Sequence, residues 1–136
     1  YEALLSQQSD DLIILSVQDG ALVNALQRKA SVVLQKSLRE GFGLTVAEAM
    51  WKGTPVIGGD AGGIRLQIRD GVNGFLVSSV EQAARRIVEL LKDRELAQQI
   101  GQAGRETVRQ KFLLSRYLEQ YLDLFGSFEA IYRLKD

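Results

Sequence analysis

A doubly wound parallel α/β sheet with a helical C-terminus is the fold class that the sequence predicts, from three observations. Four short apolar runs, at residues 12–17, 32–34, 55–57 and 75–77, alternate with helix-length segments, the order expected of parallel strands joined by right-handed crossovers. The first run, Leu12-Ile13-Ile14-Leu15-Ser16-Val17, has no polar alternation, which suits a strand covered on both faces. The last third of the chain carries apolar residues at helical spacing.

Taken in order, Ala3-Leu4-Leu5 is apolar and residues 6–10 are polar, as at the end of a helix, before the strand at 12–17. Gln18-Asp19-Gly20 reads as a turn, and residues 21–29 as a helix with Leu22, Ala25 and Leu26 on one face. Val32-Val33-Leu34 is the second buried strand. A helix follows from Thr45 as N-cap to about Lys52, where Gly53 stops it. Pro55-Val56-Ile57 forms the third strand, with the chain's one proline near its start, where a missing amide is least disruptive.

Residues 64–68 suggest a short helix, and Asp70-Gly71-Val72-Asn73-Gly74 a turn before the strand Phe75-Leu76-Val77. Ser79-x-x-Gln82 offers a capping box to a helix whose apolar face is Val80, Ala83, Ala84, Ile87, Val88 and Leu91. Residues 94–111 are a charged helix with Leu96, Ile100, Ala103 and Val108 inward. The last helix repeats the pattern with Leu114, Tyr117, Leu118, Tyr121, Leu122 and Phe125, and Phe128, Ile131 and Tyr132 continue the face. Residues 1–112 thus read as one α/β domain, and 113–136 as helix packing on it or on a partner.

The stretch that organises the chain is Ser37-Leu38-Arg39-Glu40-Gly41-Phe42-Gly43-Leu44-Thr45-Val46-Ala47-Glu48-Ala49-Met50. Gly41 and Gly43 allow a tight turn out of a buried strand and a close approach of backbone amides to a ligand. A helix start adds unpaired N–H groups and a partial positive charge, so strand, glycine turn and helix start together make an anion cradle that fits a pyrophosphate. Glu40 and Glu48 make sense beside phosphates only if they reach past them to hydroxyls. Against this stands a purely structural reading: Thr45-x-x-Glu48 is a capping box and Glu40 a solvated carboxylate.

The second glycine cluster, Gly58-Gly59-Asp60-Ala61-Gly62-Gly63, is in neither G-x-G-x-x-G nor Walker order. It is an amide-rich loop at a strand end, where open α/β sheets place ligands; a plain connection fits it equally.

Composition narrows the function classes. The 136 residues, 46% hydrophobic and 25% charged, suit one globular domain. Lys+Arg and Asp+Glu both number 17, for zero net charge, which gives no reason to expect nucleic acid or an anionic membrane as partner. With neither Cys nor His in the sequence, zinc sites and Ser-His or Cys-His nucleophile systems are excluded within this chain. No apolar run approaches the roughly 20 residues of a membrane span, and Tyr1-Glu2-Ala3 does not open like a secretory signal. The expected location is cytoplasmic.

The motif, followed by Lys52-Gly53-Thr54-Pro55-Val56-Ile57, closely resembles the E-x7-E region of retaining, GT-B-fold glycosyltransferases of the glycogen synthase and sucrose synthase group. Trp51-Lys52-Gly53 and Gly62-Gly63-Ile64-Arg65-Leu66-Gln67-Ile68 are most similar to the trehalose-forming synthases that use a nucleotide sugar. The resemblance covers residues from about 11 to 112. It implies a Rossmann-like, partial C-terminal lobe of a GT-B fold, with Glu48 on the ribose hydroxyls and Glu40 on hydroxyls of the donor sugar near the reacting carbon. By the same resemblance the amides from Phe42 to Thr45 are expected to face sugar and diphosphate, Gly62 and Gly63 to line the donor site, and the base to lie near Val17 and Gln18.

Arg39 has two readings, a partner of Glu40 or Asp60 or a solvated surface residue. No cofactor is implied, since the nucleotide-diphosphate sugar is a substrate, and no cluster of carboxylates is available to hold Mg²⁺. The resemblance also implies an acceptor lobe and an Arg/Lys pair upstream of this region, so this chain alone is expected to be inactive. An exposed edge at 12–17 is expected to favour homo-oligomers. Two other readings remain: a non-catalytic nucleotide- or phosphate-binding or interaction module, and a designed sequence built on the family pattern.

Overall fold

The computed structural model describes residues 6–133, with the side chains of 6–128. The apolar stretch at residues 3–5 lies outside the described residues. Three parallel strands, β1 (Val33–Gln35), β2 (Val56–Gly59) and β3 (Phe75–Val77), stand side by side in chain order. Val33 pairs with Val56 and Ile57 with Phe75. The helices are α1 (Gly20–Lys29), α2 (Leu44–Trp51), α3 (Ile64–Gln67), α4 (Val80–Lys92), α5 (Arg94–Lys111) and α6 (Leu114–Arg133). This is the parallel α/β architecture expected, closed by a helical C-terminus.

Every residue of β2 is buried, because this central strand has helices on both sides. Consecutive side chains of a strand point to opposite faces. Val56 therefore joins Val46, Ala49, Met50, Ile64, Ile68 and Val108 on one face, while Ile57 joins Phe75, Val77, Ala83, Leu90 and Ile100 on the other. Each fully buried side chain of this size contributes about 1.5–3 kcal/mol.

The apolar run at 12–17 is not a strand. Among the described residues its one pairing is a local antiparallel bridge between Ser9 and Leu12, and Leu12, Ile13, Leu15 and Val17 are 45–68% exposed. A strand needs a neighbour to take its amides and carbonyls, and none of the three strands pairs with it.

Two helix faces also differ from expectation. On α1 the buried residue is Gln27, while Ala25 and Leu26 are exposed. On α4 the buried pair is Ala83 and Leu90, with Val80, Val88 and Leu91 exposed. The sequence stripe was wide enough to fit either rotation, and packing on Ile57 and Phe75 selected one.

The helix ends follow capping chemistry. The Asp19 carboxylate accepts from Ala21 and Leu22 N–H, and Ser79 Oγ accepts from Gln82 N–H. The Gln82 side chain reaches back to Ser78 rather than Ser79. Asp93 closes α4 with its N–H and opens α5 with its carboxylate. Gly53, at a φ of 76°, ends α2 as anticipated. Among the described residues no helix is long and apolar enough to cross a membrane.

Candidate functional site

The loops after β1 and β2 leave the same edge of the sheet, the carboxyl ends of the strands, and pack on each other. Gly63 N–H donates to Glu40 O at 3.3 Å. The contact is so close that a Cβ on Gly62 would fall 1.8 Å from Glu40 O, and one on Gly63 would fall 2.1 Å from Gly41 O. Gly62 and Gly63 therefore act as the backing of the motif turn.

Gly43 is the N-cap of α2, in the left-handed region at a φ of 87° and with no side chain to cap the helix. Thr45 is thus the second residue inside α2 rather than its cap, and Thr45-x-x-Glu48 is not a capping box. Val46 N–H donates to Gly43 O at 3.0 Å. Among the described residues, the amides of Phe42, Gly43, Leu44 and Thr45 donate to no protein acceptor. A helix start with free amides and no capping side chain is the arrangement in which an anion takes the cap's place. Gly41 has open space where a Cβ would stand, so its turn does not require glycine.

Two residues that the sequence reading did not single out hold the turn from beneath. Gln67, 1% exposed, donates through Nε2 to the carbonyls of Phe42 and Gly43. Its Oε1 is buried without a partner. Asn73 Nδ2 donates to Gln67 O at 3.0 Å and to Thr107 Oγ1 at 2.9 Å, which ties the turn to α5. The Phe42 ring meets Phe112 edge-on, centroids 5.6 Å apart. Glu40 Oε2 accepts from Ser37 Oγ at 3.3 Å, and Gln35 Nε2 donates to that hydroxyl at 2.8 Å. Arg39 is exposed and pairs with neither Glu40 nor Asp60; Asp60 is taken by Arg65 at 2.5 Å.

Glu48, one turn further along α2, faces an open cleft of about 380 Å³ lined by Val17, Gln18, Asp19, Gly20, Val23, Asn24, Gln27 and Lys52. Its Oε2 accepts from Gln27 Nε2 at 3.2 Å, and Lys52 Nζ donates to Gln27 Oε1 at 2.6 Å. The structure thus brings Glu48 together with Val17 and Gln18, which lie 30 or more positions earlier. Gln27 escaped notice in the sequence because a polar residue within a polar helix carries no signal of burial.

The glycosyl transferases group 1 family matches residues 2–107. A trehalose synthase of Thermococcus litoralis is 51% identical over 106 residues, covering 78% of this chain and 26% of the relative. One from Rubrobacter xylanophilus is 48% identical over 108 residues, 79% of this chain and 26% of the relative. Among solved structures, sucrose-phosphate synthase from Thermosynechococcus elongatus superposes with a TM-score of 0.81 at 28% identity, over 96% of this chain and 34% of that one. Anabaena HepE in complex with UDP superposes with a TM-score of 0.70 at 28% identity, over 75% and 29% of the two chains. The chain spans about a quarter of the length of the curated relatives it matches. With a family match over most of its residues and a shared fold around the motif turn, the chain belongs to the glycosyl transferases group 1 family.

Proposed function

We propose that this chain is the donor-binding part of a retaining glycosyltransferase, which transfers glucose from a nucleotide sugar to a sugar acceptor and forms trehalose. The observation that carries the reading is the adjacency of two features on α2: a helix start with unpaired amides, and one turn later a carboxylate facing a nucleoside-sized cleft. Phosphates suit the first and ribose hydroxyls the second. The half-identical trehalose synthases and the UDP complex of HepE support the same assignment.

In this reading Glu48 accepts from the ribose hydroxyls, with the base against Val17 and Gln18. The amides from Phe42 to Thr45 hold the diphosphate, and Glu40 accepts from donor-sugar hydroxyls near the reacting carbon. As the bond to the diphosphate breaks, negative charge develops on the leaving group, and preorganised N–H donors stabilise it. The rest of that stabilisation, and the acceptor site, come from a lobe beyond this sequence, so the chain alone carries no transfer activity. No metal takes part, and the setting is cytoplasmic.

Calorimetric titration with UDP-glucose and ADP-glucose tests the reading. Saturable binding of one of them, weakened roughly tenfold to a hundredfold in Glu48→Ala, is the expected result. A folded chain that binds neither would overturn it.

A further inference from the structure

We infer that Gln27 is a positioning residue for the nucleoside end of the site: its side-chain amide fixes the Glu48 carboxylate in the cleft and keeps Lys52 from pairing with it. The inference rests on the nucleotide-sugar reading of the cleft. Glu48 on α2 and Lys52 at its C-cap are four residues apart, a spacing at which Glu and Lys ordinarily pair directly. Among the described residues they form no ion pair with each other. The Gln27 amide stands between them instead, its Nε2 on Glu48 Oε2 at 3.2 Å and its Oε1 under Lys52 Nζ at 2.6 Å.

Gln27 is held in place from its own backbone. Only 5% of it is exposed, and its carbonyl accepts from Thr54 Oγ1 at 2.6 Å. A buried polar side chain on an otherwise exposed helix needs both of its amide groups satisfied, since burial of either one unpaired is unfavourable; here both are. The consequence falls on Glu48. One of its oxygens takes a neutral donor, and the other, Oε1, has no partner among the described residues. A direct ammonium contact would neutralise the carboxylate and turn it towards the next turn of α2. A neutral amide orients it and leaves its charge for ligand hydroxyls.

The test uses Gln27→Leu, which keeps the volume and removes both hydrogen bonds, with Gln27→Met as a second variant and Thr54→Val as a control that loosens α1 without touching the amide. Affinities for UDP, ADP and inorganic pyrophosphate are measured for each, together with the ¹³C shift of the Glu48 carboxyl without ligand. Affinity for the preferred nucleotide should fall roughly tenfold in both Gln27 variants, with pyrophosphate unchanged and the Glu48 carboxyl shift moved. Thr54→Val should move neither the nucleotide-to-pyrophosphate ratio nor the carboxyl shift. Wild-type nucleotide affinity, an equal loss of pyrophosphate or an unmoved carboxyl shift in folded Gln27 variants would overturn the inference and leave the site reading intact. A wild-type chain that binds no nucleotide would overturn both.

Discussion

At Gly62 a single methyl group has no room. A Cβ there would stand 1.8 Å from Glu40 O, on a backbone with a φ of 45° that L residues rarely adopt. Gly62→Ala should therefore destabilise by at least about 2 kcal/mol. Gly41→Ala, at an open position, should stay within about 0.5 kcal/mol. Thermal denaturation of both variants decides this, and equal midpoints would contradict the close packing of the two glycine loops. The sequence showed that both loops were glycine-rich. It did not show which glycine answers to sterics, because that depends on the other loop's carbonyls. Gln27 and Gln67 were illegible for a related reason: the burial of an amide is set by partners 20 or more positions away, Glu48 for one and Phe42 for the other.

Among the elements, β3 and the boundaries of α4 and α5 agree with the sequence reading closely, because cap residues and turn glycines mark them locally. Residues 12–17 do not, since apolarity alone favours burial but does not supply a pairing partner. The start of α2 is displaced by two residues, from Thr45 to Gly43, because a left-handed glycine caps the helix without a side-chain oxygen. Helix α6 raises a separate question. Phe112 and Leu113 pack on the core, yet from Leu114 to Phe128 the apolar residues are exposed, Leu114 at 81% and Phe125 at 61%. Ending the chain after Leu113 should thus lower stability by less than about 1 kcal/mol. A chemical denaturation midpoint that collapses on truncation would show that α6 holds the domain together.

For the whole molecule, the parallel α/β fold was legible in the sequence, and so was the order of strand, glycine turn and helix on which the candidate site is built. That order places the unpaired amides of the turn at the carboxyl edge of a parallel sheet, where open α/β folds bind ligands. Of the cleft, the family resemblance named Glu48, Val17 and Gln18; the place of Gln27 in it was not legible, because α1 comes to α2 only through tertiary packing. Among the described residues, apolar side chains are exposed at 12–17 and on α6, and β1 stands at the edge of the sheet. Such features recruit other chains, so we propose that the chain self-associates. Sedimentation velocity should show a mass rising above the monomer with concentration, and a strictly monomeric profile at high concentration would contradict it.

In the proposed function, α2 binds a nucleotide sugar with two features at once, its first amides and Glu48. Amide shift mapping by solution NMR during titration with UDP-glucose or ADP-glucose tests it most directly. Gly43, Leu44 and Thr45 should shift together with Gln18, Asn24 and Glu48, along a single binding isotherm, while the far end of the sheet at Val56 and Leu91 stays still. Shifts confined to surfaces away from the motif turn, or saturation without movement of Leu44 and Thr45, would contradict it.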